Sequence, residues 1–277
     1  VLAGLGGIDT INGAGGDDVI VATAGDGNDS YNGGDGVDFY NLSNTTANAT
    51  VNLAVGTATS SQTGSDTLSN IEGVLGGAGS DNLTGSNSAD ILDGGGGGDT
   101  INGGAGNDTL SGGAGNGDVV NGGAGNDTII YNFGDGTDTS YDGGADTDTL
   151  RINGTTGANT LTAVWNGTRL ASFTGANTLV NIEAVIADLL AGNDTLSYNG
   201  TAAANGVTVN LAAGTASGFS SVVGIENLVG GAGNDALTGD GNANDIDGAG
   251  GDDTLTGGGG GDTLTGGGGV DTLIGEG

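Results

Sequence analysis

Cysteine, proline, methionine and histidine are all missing from this 277-residue sequence, and its two basic residues, Arg151 and Arg169, stand against 34 acidic ones. Each absence excludes something. Without cysteine there is no disulfide framework and no CxxC zinc site. Without histidine or cysteine, Ser-His-Asp, Cys-His and zinc-hydrolase centres cannot be assembled. Both basic residues are arginines, so no lysine is present to form a Schiff base. A formal net charge of −32 leaves nothing to neutralise phosphates, so no nucleic-acid partner is expected, nor attraction to an anionic membrane surface. No apolar run reaches membrane-spanning length and no signal-peptide pattern opens the chain, so no membrane insertion is expected.

What is present is glycine, 66 residues of it, with only 4% aromatic residues. An acidic, glycine-rich composition of this kind normally reads as disordered. The order of the residues says otherwise. A nine-residue period runs through GGGGGDTIN at 94–102, GGAGNDTLS at 103–111 and GGAGNDTII at 122–130, with GGAGNGDVVN at 112–121 carrying one extra residue. The same frame holds GGAGSDNLT at 76–84, GSNSADILD at 85–93 and GGADTDTLR at 143–151. It recurs near the start as GLGGIDTIN at 4–12, GAGGDDVIV at 13–21, a looser copy around Asp29 and GGDGVDFYN at 33–41. Beyond residue 229 it returns as GGAGNDALT at 230–238, GDGNANDID at 239–247, GAGGDDTLT at 248–256, GGGGGDTLT at 257–265 and GGGGVDTLI at 266–274.

The pattern is GGxGxDxUx, with U a large apolar residue. Its first six positions suit a turn in which glycine allows positive φ and a close backbone approach. Its last three suit a very short strand with one inward side chain. Ile11, Ile20, Leu83, Leu92, Ile101, Leu110, Leu255 and Leu264 are therefore expected to be core and nothing more. One apolar residue in nine makes a thin core.

A frame held over a dozen copies resembles the nonapeptide of RTX proteins, the haemolysin-type calcium-binding repeats. The resemblance implies an all-β chain: a right-handed parallel β-roll, or β-helix solenoid, in which two nonapeptides complete a coil and calcium-binding turns flank two facing sheets. It implies side-chain metal ligands at the sixth-place residues Asp9, Asp18, Asp29, Asp38, Asp81, Asp90, Asp99, Asp108, Asp118, Asp127, Asp148, Asp235, Asp253, Asp262 and Asp271. Turn carbonyls would complete the six to eight oxygens that Ca2+ takes. Stacking pairs Asp81 with Asp99, Asp90 with Asp108, and Asp253 with Asp271, with about ten sites expected if each needs two stacked turns. The extra residue shifts Asp118 against Asp99 and is expected to distort that site. Asn244 replaces a sixth-place Asp, with Asp245 beside it, so the site it would share with Asp262 departs from the pattern. Stacked carboxylates without cations would repel, so folding is expected to require the metal.

Five segments follow: roll repeats at 1–42, a linking β segment at 43–75, roll repeats at 76–151, a linking β segment at 152–229, and roll repeats at 230–277. The linking segments share TVNLAVGTA at 50–58 and TVNLAAGTA at 208–216, and each leads through an Ile-Glu pair, Ile71-Glu72 or Ile225-Glu226, into a roll. A third pair is Ile182-Glu183. These pairs are read as fixing a coil transition. The alternation in the segments suggests longer strands continuing the solenoid as wider coils. Residues 159–174 read as a β-hairpin turning at Asn166-Gly167 and forming a satellite core around Trp165.

Catalysis is not expected. Paired carboxylates can run glycoside hydrolysis, yet the repeat frame accounts for nearly every Asp. The expected role is a calcium-binding structural element of a secreted bacterial cell-surface protein of S-layer, filament or adhesin type. The alternative is an accessory module of an exported enzyme or toxin. The resemblance implies type I secretion and folding in extracellular calcium. Val1 at one end and Gly275-Glu276-Gly277 within a repeat at the other suggest a fragment or processed chain, and uncapped ends suggest homo-oligomers through end-to-end or lateral association.

Overall fold

The computed structural model describes residues 1–275; Glu276 and Gly277, which follow the repeat at 266–274, lie outside them. The described residues form strands and turns with no helix. They make two compact units, one built from Val1–Thr149 and Val180–Glu183, the other from Leu150–Leu179 and the residues from Ala184 onward.

In the first unit each nonapeptide contributes a short strand, of three to six residues, whose second side chain points inward. Asn82–Thr84, Thr100–Ala105, Val119–Ala124 and Ser140–Ala145 stack in parallel in one sheet, with Leu83, Ile101, Val120 and Tyr141 aligned through it. Ile91–Asp93, Thr109–Ser111 and Thr128–Asn132 stack in parallel in the other, aligning Leu92, Leu110 and Ile129. These aligned residues are almost fully buried. Burying one apolar column per sheet while each backbone pairs with the next coil is how so thin a core holds a solenoid. The fold is an all-β parallel β-roll.

Of the inward residues read from the repeats, Ile20, Leu83, Leu92, Ile101, Leu110 and Leu255 are buried, while Ile11 and Leu264 are only half-buried. Those two lie on strands Thr10–Asn12 and Thr263–Thr265, each the last in its sheet, with a neighbour on one side only.

The linking residues 43–75 differ from the expected wider coils. Ala49–Asn52, Thr57–Ser60 and Gly64–Ser69 form an antiparallel meander spliced into one sheet. Gly64–Ser69 runs parallel to Ser30–Asn32, and Ala49–Asn52 parallel to Asn82–Thr84. Its two reversals restore the chain direction, so the parallel stack resumes beyond it. The opposite sheet passes directly from Phe39–Asn41 to Gly73–Leu75 without an insertion.

In the second unit, Thr195–Ser197, Asn227–Val229, Asp245–Asp247 and Thr263–Thr265 stack in parallel. So do Thr208–Asn210, Ala236–Thr238, Thr254–Thr256 and Thr272–Ile274. Thr160–Trp165 pairs antiparallel with Leu170–Phe173 across a bulge at Val164/Trp165. Four residues rather than two make the turn, because the Asn166 carboxamide oxygen accepts the N–H groups of Thr168 and Arg169. Trp165 is half-buried, close to Gly218.

Candidate metal centre

The sixth-place aspartates precede their strands and therefore sit at the edges of the roll, one above another. Most lend one carboxylate oxygen to the preceding coil: Oδ1 accepts the backbone N–H of the corresponding residue one coil earlier. On one edge the sequence runs Asp9 N–H to Asp29 at 2.7 Å, Asp29 to Asp66 at 2.9 Å, Asp81 to Asp99 at 2.6 Å, Asp99 to Asp118 at 2.6 Å and Asp118 to Asp138 at 3.4 Å. On the other it runs Asp18 to Asp38, Asp90 to Asp108, Asp108 to Asp127 and Asp127 to Asp148, at 2.7–2.8 Å. In the second unit Asp235 donates to Asp253, Asn244 to Asp262 and Asp253 to Asp271, at 2.8–3.0 Å. All fifteen residues read from the repeats lie on this ladder.

The extra residue before Asp118 does not break it. Gly117, at φ +95°, absorbs the insertion, and the Asp99–Asp118 bond is as short as the Asp81–Asp99 bond before it, the next one lengthening to 3.4 Å. Spacing of eighteen is thus not a requirement, and turns of nineteen, twenty and twenty-one residues per coil keep the register. Asp245 does not stand in for Asn244: it lies on the strand Asp245–Asp247 with its side chain exposed. The Asn244 carboxamide itself takes the ladder place, its oxygen accepting Asp240 N–H and its nitrogen donating to the Glu226 carbonyl.

The ladder also includes residues that the repeat frame does not mark. Asp138 follows the inserted coil, and its strand's inward residue, Tyr141, falls one place late, which hides the match. Asp66 lies within the meander, and Asp194 accepts Asn159 N–H in the linking segment 152–229. Stacking against known rungs identifies all three, although GSDTLS at 64–69 and AGNDTLS at 191–197 already keep the Asp and Leu places of the frame.

The second carboxylate oxygen divides most of the rungs into three kinds. At Asp81, Asp90 and Asp235 it accepts an N–H of its own turn, from Gly77, Ser86 and Gly231. At Asp29 and Asp66 it accepts the hydroxyls of Tyr31 and Tyr40, at 2.7 and 2.6 Å, and at Asp138 that of Tyr141. At Asp9, Asp38, Asp99, Asp108, Asp118, Asp127, Asp148, Asp194 and Asp253 the Oδ2 atom is buried and has no hydrogen-bond partner. A buried carboxylate oxygen with nothing to bond is costly, so these atoms mark where a cation fits.

The surroundings fit one too. A Cβ added to Gly94 would collide with both Asp99 Oδ2 and the Gly112 carbonyl oxygen of the next coil. Gly103, Gly122 and Gly248 repeat this with Asp108 and Gly122, Asp127 and Gly143, Asp253 and Gly266. Carboxylate and carbonyl oxygens therefore converge where only glycine leaves room. No three acidic side chains converge among the described residues, so any ion held here relies on backbone carbonyls as well as on carboxylates. Such a mixed, hard oxygen set suits calcium. Burial drives the Asp99 and Asp118 carboxyls up to about 7 and Asp108 to about 6, with neighbouring aspartates adding to the rise. Asp127, Asp148 and Asp253 are raised for the same first cause.

A search of curated proteins finds no match to the chain. The family model of the RTX calcium-binding nonapeptide repeat matches residues 4–40, overlapping stretches from 74 to 139, and residues 222–255 and 247–277. These matches cover more than half of the sequence, and the stacked aspartate turns described above fall largely within them: the chain belongs to the family of RTX calcium-binding nonapeptide repeat proteins.

Proposed function

We propose that this chain is a structural module of a secreted bacterial surface protein, of S-layer, filament or adhesin type, that folds when it meets extracellular calcium. The observation that carries the reading is the set of buried Oδ2 atoms without partners, seven of the nine facing a carbonyl across a glycine. The carboxylates of Asp99, Asp108, Asp118, Asp127, Asp148 and Asp253, paired with their stacked neighbours and the position-one carbonyls, would hold the ions. Bound calcium supplies positive charge that offsets carboxylate repulsion and ties one coil to the next. The chain's own residues do the rest: Oδ1 fixes the register between coils, and glycine keeps the cradle open. Millimolar extracellular calcium suffices for weak sites of this kind, and binding free energy becomes folding free energy. Repeats interleaved with linking strands throughout the sequence favour a structural role over an accessory one. Service as an accessory module of an exported enzyme or toxin is the second reading.

Sedimentation velocity in chelator and in millimolar calcium tests this. A slow, expanded monomer that becomes compact with calcium supports metal-coupled folding. Assemblies that form only with calcium favour the surface-layer reading, and a compact calcium-loaded monomer at high concentration favours the accessory one. An identical sedimentation coefficient in both conditions would overturn the proposal.

A further inference from the structure

Among the described residues the ladder has three rungs where glutamate stands in the aspartate place, and all three are the Ile-Glu pairs of the linking segments. Asp38 N–H donates to Glu72 Oε2 at 3.0 Å, Asp148 N–H to Glu183 Oε2 at 2.8 Å, and Asp194 N–H to Glu226 Oε2 at 2.8 Å. In each case the residue before the isoleucine has a left-handed backbone: Asn70 at φ +50°, Asn181 at +49° and Gly224 at +67°. The tripeptide Asn/Gly-Ile-Glu thus replaces a six-residue turn, and the additional methylene of glutamate lets its carboxylate reach the ladder from a shorter connection.

At two of the three sites the tripeptide also supplies the carbonyl. A Cβ on Gly33 would collide with Asn70 O and Asp38 Oδ2, and one on Gly143 with Asn181 O and Asp148 Oδ2, the same convergence seen at Gly94. At Asp194 the facing carbonyl is that of Gly157, with Gly192 in the glycine place. Asp38, Asp148 and Asp194 are each 0% exposed, and each has an Oδ2 atom with no partner. Tyrosine-capped rungs such as Asp29 and self-bonded rungs such as Asp81 lack that vacancy in their hydrogen bonding.

We propose that Glu72, Glu183 and Glu226 complete three calcium sites outside the nonapeptide pairs, each formed from a glutamate, a buried aspartate and a backbone carbonyl. This rests on the reading that the repeat turns bind calcium. The set holds only hard oxygen donors in irregular geometry, which suits calcium better than magnesium. Through these sites the linking segments fold with the same ion that folds the repeats.

Equilibrium dialysis at saturating calcium compares the wild-type chain with E72Q/E183Q/E226Q. Glutamine keeps an oxygen to accept the ladder N–H and removes the charge. The variant is expected to bind three fewer ions; an unchanged number overturns the inference while leaving the repeat sites intact. A wild type that binds no calcium overturns the underlying reading instead. Should the variant not fold, the wild type decides by itself. Glutamate occurs at four positions in the sequence, 72, 183, 226 and 276, so 13C-carboxyl glutamate gives an isotope-edited infrared band with few contributors. Exchanging calcium for strontium in the folded protein is expected to move that band, and a band that stays in place overturns the inference.

Discussion

The turns at 76–81 and 85–90 satisfy their own aspartates; the turns at 94–99 and 103–108 do not. In the first pair, Gly77 and Ser86 donate N–H groups to Asp81 and Asp90. In the second, the backbone takes positive φ at Gly95, Gly97, Gly104 and Gly106, and Asp99 and Asp108 keep an unbonded oxygen. The second unit repeats the contrast, with 230–235 and 239–244 self-bonded and 248–253 open. Both self-bonded pairs directly follow a linking segment, and both begin against a similar turn: Ala78 N–H bonds Thr45 O and Ala232 N–H bonds Thr201 O. A repeat stacked on a linking segment closes on itself, whereas a repeat stacked on other repeats stays open. The comparison teaches that one sequence frame produces turns of unequal need for a cation.

Protons offer the broadest way to probe that difference. Burial raises Asp99, Asp108 and Asp118 above the ordinary value of 3.8 to about 7, 6 and 7. A carboxyl raised on folding contributes stability below its unfolded value, and that stability is lost as pH climbs through the folded one. In chelator, the open turns are therefore expected to gain structure as pH falls from about 7 towards 4, seen as strand signal in circular dichroism. No change across that window contradicts the assignment of buried, cation-free carboxylates.

Charge removal separates the two kinds of turn directly. Asp108→Asn is expected to destabilise the calcium-loaded chain by about 2 kcal/mol, the order of a lost charged partner in a buried site, and to raise the calcium midpoint. Asp90→Asn is expected to shift it much less, because a carboxamide oxygen can still accept Ser86 N–H, as Asn244 already does from Asp240. Equal shifts in calcium titrations of the two variants would remove the distinction.

A tyrosine-capped rung can be converted to an open one. Tyr141→Phe removes the hydroxyl that bonds Asp138 and is expected to cost about 1 kcal/mol while increasing the calcium dependence of unfolding by urea. The smallest expected effect is a gain. Ala249 holds φ +67° at a place where glycine stands in most open turns, and Ala249→Gly should relieve roughly 1 kcal/mol of left-handed strain. A lower midpoint of thermal unfolding in that variant would show that the turn is not strained.

Much of the roll can be read from the repeats. The sixth-place aspartates and the eighth-place apolar residues follow from the nine-residue frame, since a short strand buries one side chain and a turn needs glycine. Asp138 escapes because one added residue displaces Tyr141 within the frame. Asp66 and Asp194 escape because they sit in partial copies of the frame, GSDTLS at 64–69 and AGNDTLS at 191–197, that lack the opening glycine pair. The Ile-Glu pairs stand out in the sequence as a recurrence, but nothing local says that a glutamate three residues into a short turn reaches the place of an aspartate six residues into a long one.

The sequence alone determined which aspartates share an edge of the roll and which side chains face its core, because both follow from a period that the backbone must respect. Tertiary structure decided which carboxylate oxygens go unbonded. That depends on the φ angles each turn adopts and on what lies against it, a second repeat, a threonine turn or a tyrosine hydroxyl arriving from across the core. GGAGSD at 76–81 and GGAGND at 103–108 are nearly the same string, yet the first leans on Thr45 and closes while the second lies on Ser86 and Ser88 and opens.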